Sequence, residues 1–416
     1  MDRETFIRTA GDLLQQGPLP LATKKLWEIG RSSGNMTTEE LSLLELRHTP
    51  PLWLLQSLGL DSSIAVSSQA EEIEARPSER IHCQSPEVIG DAILPPLFSM
   101  LDGYSPVVKI VKGNSGTFGL GNFMRVALVG DGYVPSMTDV NNLWTWQILK
   151  KLSPHRLPGR TFICVVEGSL LFSHWLFDTL PRFSILQQFG MEARHFDHVL
   201  VASDRHGFHR EGLAAFRVDK SRVRTRQKIG PVVFCDEFVH VTSLRNAFLA
   251  GRGNWLYDTV TNIFAPGAGP GLRKLFISRS KAKRRRLINE VELHAVLTHF
   301  GFEIVHAEEL SVAAMAKLCA EASIVVAPHG AGLANVAFMH PGGRVLELFG
   351  AHLSPEFWRI CNSRDLRYYC MQGLDSAGKK YSEDKLKSMS HLERNREDFR
   401  IEPDALRNAL AMVVES

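Results

Sequence analysis

Two groups of residues in this chain of 416 amino acids combine types and spacings that chemistry can use. In Ser173-His174-Trp-Leu-Phe-Asp178-Thr-Leu-Pro181-Arg182, His174, Asp178 and Arg182 stand at steps of four and share one helical face, provided the helix runs on through Pro181, which is able to kink it. An imidazole, a carboxylate and a guanidinium on one face can hold a hydroxyl compound and remove its proton. A carboxylate is ionised at neutral pH, whereas an imidazole titrates near ~6.5, so Asp178 is the favoured base and His174 orients the hydroxyl compound or the carboxylate. Arg182 is assigned to the same partner. Glu167, where the preceding apolar strand ends, either adds a contact to it or is a solvated loop carboxylate. His174 and Asp178 supply only two metal ligands, and no His-Glu-x-x-His motif accompanies them.

The second group surrounds Pro328-His329-Gly330-Ala331-Gly332, where a buried strand gives way to a helix. Free N–H groups and the helix dipole hold a phosphate at such a place, and Gly330 and Gly332 let the backbone approach a diphosphate. A plain tight turn explains the glycines but does not call for His329. Asn335, one turn on, reaches the same ligand or faces water. At Ile277-Ser278-Arg279 another strand ends, followed by the basic run Lys281-Ala-Lys-Arg284-Arg285-Arg286. Guanidinium groups match phosphate oxygens, so Ser278, Arg279 and Arg284 are placed in the phosphate site, while Lys281, Lys283 and Arg286 are left to solvent or a membrane. Asn289-Glu290 caps the next helix or braces the loop. Glu347, inside Val345-Leu-Glu-Leu-Phe349, is a carboxylate in an apolar strand, suited to accept both hydroxyls of a ribose unless it is exposed at the strand end.

Alternating strands and helices must position these groups. The spacing predicts strands at 162–166, 198–202 and 232–234, with a helix through Trp175 and Leu186 and another near Leu213. Pro266 to Gly271 reads as a linker. Beyond it come strands at 274–278, 302–305, 323–327 and 344–349, with helices at 289–300, after the Ser311 cap, and at about 333–339, a succession that makes a doubly wound parallel sheet. Residues 107–111 and 124–129 read as short strands, and Gly116 to Gly121 between them as a hairpin or bulge. The first 80 residues read as helical and accessory, with helical spacing at Phe6 to Leu14 and Leu41 to Leu46 and a polar, acidic stretch from Ser67.

Composition narrows the function classes. A formal charge of +3 gives no uniform field for nucleic acid. The six cysteines form no Cys-x-x-Cys pair and read as small buried apolar residues of a reducing compartment. The opening residues lack the order of a signal peptide, and no apolar stretch is long enough to span a bilayer, so the expectation is a cytoplasmic protein, peripheral to an inner membrane where lipids carry its acceptor.

Four segments, HWLFDTLPR (174–182), LFISRSKAKRRRLINE (275–290), GFEIV with a following ELS (301–311) and APHGAGLANVAFM with VLELF (327–349), resemble glycosyltransferase family 61 in order and spacing. The resemblance runs from about Thr161 to Phe349. It implies two Rossmann-like α/β lobes of the GT-B type, an inverting single displacement and a donor such as a UDP-sugar bound mainly by the C-terminal lobe. Where that family often carries Glu-Gln, this chain has Ala314-Met315, a departure that bears on donor preference. The organisation expected is a helical accessory region at 1–105, an acceptor lobe with a β-hairpin lead-in at 106–265, a nucleotide-sugar lobe at 266–372 and a helical tail at 373–416.

The combined expectation is an inverting glycosyltransferase without cofactor or metal, since no Asp-x-Asp occurs. Its partners are a nucleoside diphosphate sugar, and a glycan or glycolipid acceptor. A nucleotide-sugar epimerase and a non-catalytic glycan-binding protein are the alternatives, and no Gly-x-Gly-x-x-Gly supports a dehydrogenase.

Overall fold

Apolar runs that cannot face water on either side require helices above and below them, and this chain meets the requirement with two sheets. The computed structural model describes residues 1–16, 19–37, 40, 52–58, 66–120, 124–130, 132–138, 149–166, 168–244 and 252–415. Helices α1 (Arg3–Gln16) and α2 (Leu19–Ser33) pack together around Phe6, Ala10 and Leu26. Then come β1 (Glu71–Arg76), β2 (Arg80–His82), β3 (Glu87–Ile89), β4 (Asp102–Tyr104), β5 (Val108–Leu120), β6 (Met124–Val129), β7 (Gly132–Tyr133) and β8 (His155–Cys164). The next elements are α3 (Leu180–Gln188), β9 (His198–Val201), α4 (Gly207–Ala215), β10 (Val223–Thr225), β11 (Val232–Val241) and α5 (Trp255–Phe264). After them stand β12 (Arg273–Ile277), α6 (Glu290–His299), β13 (Phe302–Val305), α7 (Val312–Ala320), β14 (Ala322–Pro328), β15 (Arg344–Phe349), α8 (Glu356–Ser363), β16 (Arg367–Gln372) and α9 (Pro403–Glu415).

Among the described residues the first sheet has eight strands in the order β10-β9-β8-β11-β5-β6-β7, with β1 also on β5. Only β10, β9, β8 and β11 are parallel neighbours; β5, β6, β7 and β1 are antiparallel. The expected doubly wound sheet is therefore mixed in this half. The second sheet, β13-β12-β14-β15-β16-β3, is parallel throughout. Alternation along its strands sorts the core: Phe276, Ile324, Val326 and Leu346 meet α6 and α9 on one face, while Leu275, Val325 and Val345 meet α7 and α8 on the other. That second face shares one continuous apolar cluster with Trp175, Phe177, Leu180 and Leu256 from the first half.

One expectation is corrected. Residues 66–104 hold strands and loops with a single 3-10 segment at Pro96–Ser99: β1 joins the first sheet and β3 the second. The acidic pattern of β1 belongs to an edge strand whose Glu72 and Glu71 pair with Lys109 and Lys112 of β5, at 2.7 and 3.1 Å. The stretch read as a hairpin or bulge lies largely within β5, which pairs antiparallel with β6 and shifts register between Gly119 and Leu120; a Cβ on Gly116 would stand 2.6 Å from the Phe118 ring, and Gly121 is outside the described residues. Leu41 to Leu46 also fall outside them. No helix of the described residues is long and apolar enough to cross a membrane.

Candidate active site

Beyond β8 the helix opens with Phe172–His174, passes through a π-helical turn at Trp175–Thr179 and continues as α3. Pro181 has no N–H for the carbonyl four residues back, and the chain answers with a wider turn in which Leu180 N–H donates to the Trp175 carbonyl, so the helix is expanded rather than broken. His174 Nδ1 lies 2.7 Å from Asp178 Oδ2. Asp178 accepts further bonds from Arg252, Nε to Oδ1 at 2.9 Å and the second terminal nitrogen to Oδ2 at 3.1 Å. Both carboxylate oxygens are thus held, with the Asp178 side chain 4% and the Arg252 side chain 0% exposed. Burial alone would lower the pKa of Arg252; the Asp178 carboxylate outweighs it and holds the pKa above the usual range.

A carboxylate can only accept from the ring, so Nδ1 carries a hydrogen, and in the neutral imidazole Nε2 is the acceptor. Nε2 makes no hydrogen bond among the described residues, and the His174 side chain is 14% exposed. The ring fits against Gly168, at φ +75°, where a Cβ would stand 2.4 Å from it. Of the two, Asp178 is the enclosed member, and His174 is the one whose second ring nitrogen is unengaged among the described residues.

Arg182 is corrected as well. It is 2% exposed, its Nε donates to the Asp178 carbonyl at 2.6 Å, and it sits beside Cys164 and His240. It ties down the π-turn from within the core and does not reach an open surface. Glu167 lies outside the described residues.

At the second sheet, β12 is followed in space by β13 on one side and β14 on the other, so the strand order reverses between β12 and β14. A cleft of about 250 Å³ opens there, lined among others by Ser278, Arg279, Glu308, Pro328 and Gly332. Arg279 crosses its edge, donating to the carbonyls of Arg284 at 3.1 Å and Arg285 at 3.4 Å. Burial, then Arg284 beside it, push Arg279 below the usual arginine range; burial, then Arg279 and Arg284, push Arg285 down too. None of the three forms an ion pair among the described residues, whereas Lys281 pairs with Glu309 and Arg286 with Asp398. Like charges gathered and partly desolvated in this way cost energy unless an anion joins them.

His329 is buried, with Nδ1 2.5 Å from Glu347 Oε1, and Tyr368 donates its hydroxyl hydrogen to Glu347 Oε2 at 2.6 Å. Burial pushes the Glu347 pKa well up and the His329 pKa well down, favouring the neutral form of each. Glu347 is fully enclosed, and both its oxygens are engaged, so its assignment to a ribose is corrected: it orients His329. Asn335, also buried, donates to the Gly332 carbonyl at 2.7 Å and does not face water. Ser278 donates to Glu290 at 2.5 Å, and Asn289 bonds the backbone of Ile401, so all three brace the loop. The segment Ala331–Phe338 is a 3-10 helix, not an α-helix, and it packs against Phe172–His174, which brings the two groups of residues to one junction.

Gly330 has an extended backbone that any residue can adopt, but a Cβ there would stand 1.8 Å from the Arg279 guanidinium. Gly330→Ala is expected to fold and to displace that guanidinium. Its affinity for a nucleoside diphosphate should fall as far as that of Arg279→Ala, with little further loss in the double variant. Full additivity by titration calorimetry would separate the two residues.

Sequence reasoning passed over Arg252, Arg285 and Glu356. Glu356, at the start of α8, lies 3.6 Å from Arg252, so Arg252 spans the helices of both sheets. The signal for Arg252 was a single arginine between Gly251 and Gly253 ahead of a helix, and that for Arg285 its place in the run already noted.

Residues 172–346 match the family model described as Glycosyltransferase 61. A stretch of 83 residues is 36% identical to the β-1,2-xylosyltransferase XAX1 of Oryza sativa subsp. japonica, covering 20% of this chain and 15% of that one. The chain therefore matches well under two thirds of the length of that curated relative. Among solved structures, the E. coli heptosyltransferase WaaC with ADP is similar over 62% of this chain and 98% of its own, with a TM-score of 0.28 and 11% identity.

Proposed function

We propose that this chain is a glycosyltransferase that moves a sugar from a nucleoside diphosphate sugar, UDP-linked by preference, to a hydroxyl of a glycan or glycolipid. The observation that carries the reading is the cluster of Arg279, Arg284 and Arg285 at the strand ends of a parallel sheet, unpaired with any described carboxylate, beside a turn that packs on the His174 helix. The match of residues 172–346 to the glycosyltransferase 61 model supports it.

In this mechanism His174 Nε2 takes the proton of the acceptor hydroxyl as its oxygen attacks the anomeric carbon. Asp178 receives the Nδ1–H bond and stabilises the imidazolium that forms. The bond from the anomeric carbon to the diphosphate breaks on the opposite face, which inverts the configuration. Guanidinium groups at the cleft edge, Arg279 foremost, stabilise the departing charge. The two sheets take the roles of acceptor and donor lobes in a GT-B-like arrangement. All six cysteines are buried and unpaired, which supports a cytoplasmic enzyme, peripheral to a membrane where its acceptor is lipid-linked.

Arg279→Ala should weaken nucleoside diphosphate binding by about 1.5 to 3 kcal/mol, the worth of a hydrogen bond to a charged group. Unchanged affinity in a folded variant removes Arg279 from the site. Because arginines suffice to neutralise the leaving group, transfer should persist in EDTA. A complete loss restored by manganese would show that a metal is required.

A further inference from the structure

The cleft at the reversal of the second sheet contains one lining carboxylate that neither the acid–base pair nor the arginine cluster uses. Glu308 stands just beyond β13, in a single 3-10 turn, Ala307–Glu309, and is exposed. Its neighbour Glu309 is engaged by Lys281, whereas Glu308 makes no hydrogen bond or ion pair among the described residues. The charge it faces is Arg279, across the same cleft. Glu347, the other carboxylate of this half with a claim on a ribose, is enclosed with Tyr368 and His329.

The cleft is lined by charged side chains, Arg279, Lys281 and Glu308, together with the apolar Ile277, Ala307, Pro328 and Leu333. A diphosphate bound to Arg279 would leave its nucleoside to the apolar side chains, and the sugar next to the phosphates to the same lining that carries Glu308. An ionised carboxylate accepts only, through two oxygens, and so matches a pair of neighbouring hydroxyl donors. In open parallel sheets the ligand sits in the crevice at this reversal, which is where Glu308 stands. We propose that Glu308 binds the 2′- and 3′-hydroxyls of the ribose of a ribonucleoside diphosphate in this cleft. The proposal rests on the donor reading given above.

The test is calorimetric titration of the full chain with UDP, ADP and GDP, each against its 2′-deoxy counterpart. The unaltered protein should prefer the ribonucleotide that it binds best by roughly tenfold or more, as expected for losing a hydrogen bond to a charged group. Glu308→Ala should bind both forms with the weaker affinity, while its unfolding temperature stays unchanged. If Glu308→Ala keeps the discrimination, the ribose assignment is overturned and the diphosphate reading stands. If none of the three ribonucleotides binds the unaltered protein, both readings fail.

Discussion

His174→Ala is expected to lower turnover by about a hundred- to ten-thousandfold, the range supplied by general base catalysis, and to leave donor affinity unchanged. The expectation follows from the direction of the hydrogen bonds. Asp178 gives one oxygen to His174 Nδ1 and both to Arg252, and its side chain is 4% exposed, so it is closed off from an incoming hydroxyl. His174 is the member of the set whose second nitrogen is unengaged among the described residues. Removing the ring also leaves the Asp178–Arg252 pair intact, so the fold should survive. A steady-state assay with saturating donor gives the turnover, and titration with the nucleoside diphosphate gives the affinity. Normal turnover in a folded His174→Ala protein would return the role to Asp178 or move it elsewhere.

Arg252→Met is expected to cost about 3 to 5 kcal/mol of unfolding free energy, the usual consequence of removing one partner of a buried pair. Asp178 would keep its charge in an enclosed site without the guanidinium that holds both its oxygens. The same ion pair contributes little when both partners are replaced, because the attraction between buried charges mostly offsets their desolvation. Arg252→Met with Asp178→Leu should therefore recover much of the loss. Urea denaturation with equal slopes for all variants measures the difference. A loss below about 1 kcal/mol in the single variant would mean that water reaches the pair as it does an exposed one.

The parts of the fold legible in the sequence are those where one physical demand dominates. Strands β14 and β15, buried on both faces, announce themselves as nearly unbroken apolar runs, and Ser311 caps its helix by accepting from Ala314 at 3.0 Å. His174 and Asp178 were legible because four residues bring side chains together on a helix. Arg252 was not, since its partner is 74 positions away and nothing local marks the contact. Arg182 was misread because a cation at helical spacing suggests a surface, whereas here it meets a carbonyl of the expanded turn. Glu347 was legible as a buried carboxylate, yet whether it serves a ligand or a neighbour depends on Tyr368, in a different strand. The charged edge strand β1 fails for a related reason: its charges are matched by lysines across the ladder, and pattern alone reads only a polar, acidic stretch of a helical region.

The three residues of β3 complete a sheet whose adjoining strand, β16, is the last of its strands to be made, with Glu87 opposite Tyr369 and Ile89 opposite Met371. On the ribosome, β3 emerges before every other strand of its sheet, and it must wait, unpaired, until β16 has followed. Until it docks, the outer side of β16 presents a bare row of backbone donors and acceptors, the kind of template on which nascent chains join one another. Such distant pairing slows folding, because the loop must close before the contact gives anything in return. A truncated chain that begins after residue 105 would retain every residue of the proposed donor cleft and still lack the strand that covers this border. A larger share of it than of the full chain should be found in inclusion bodies.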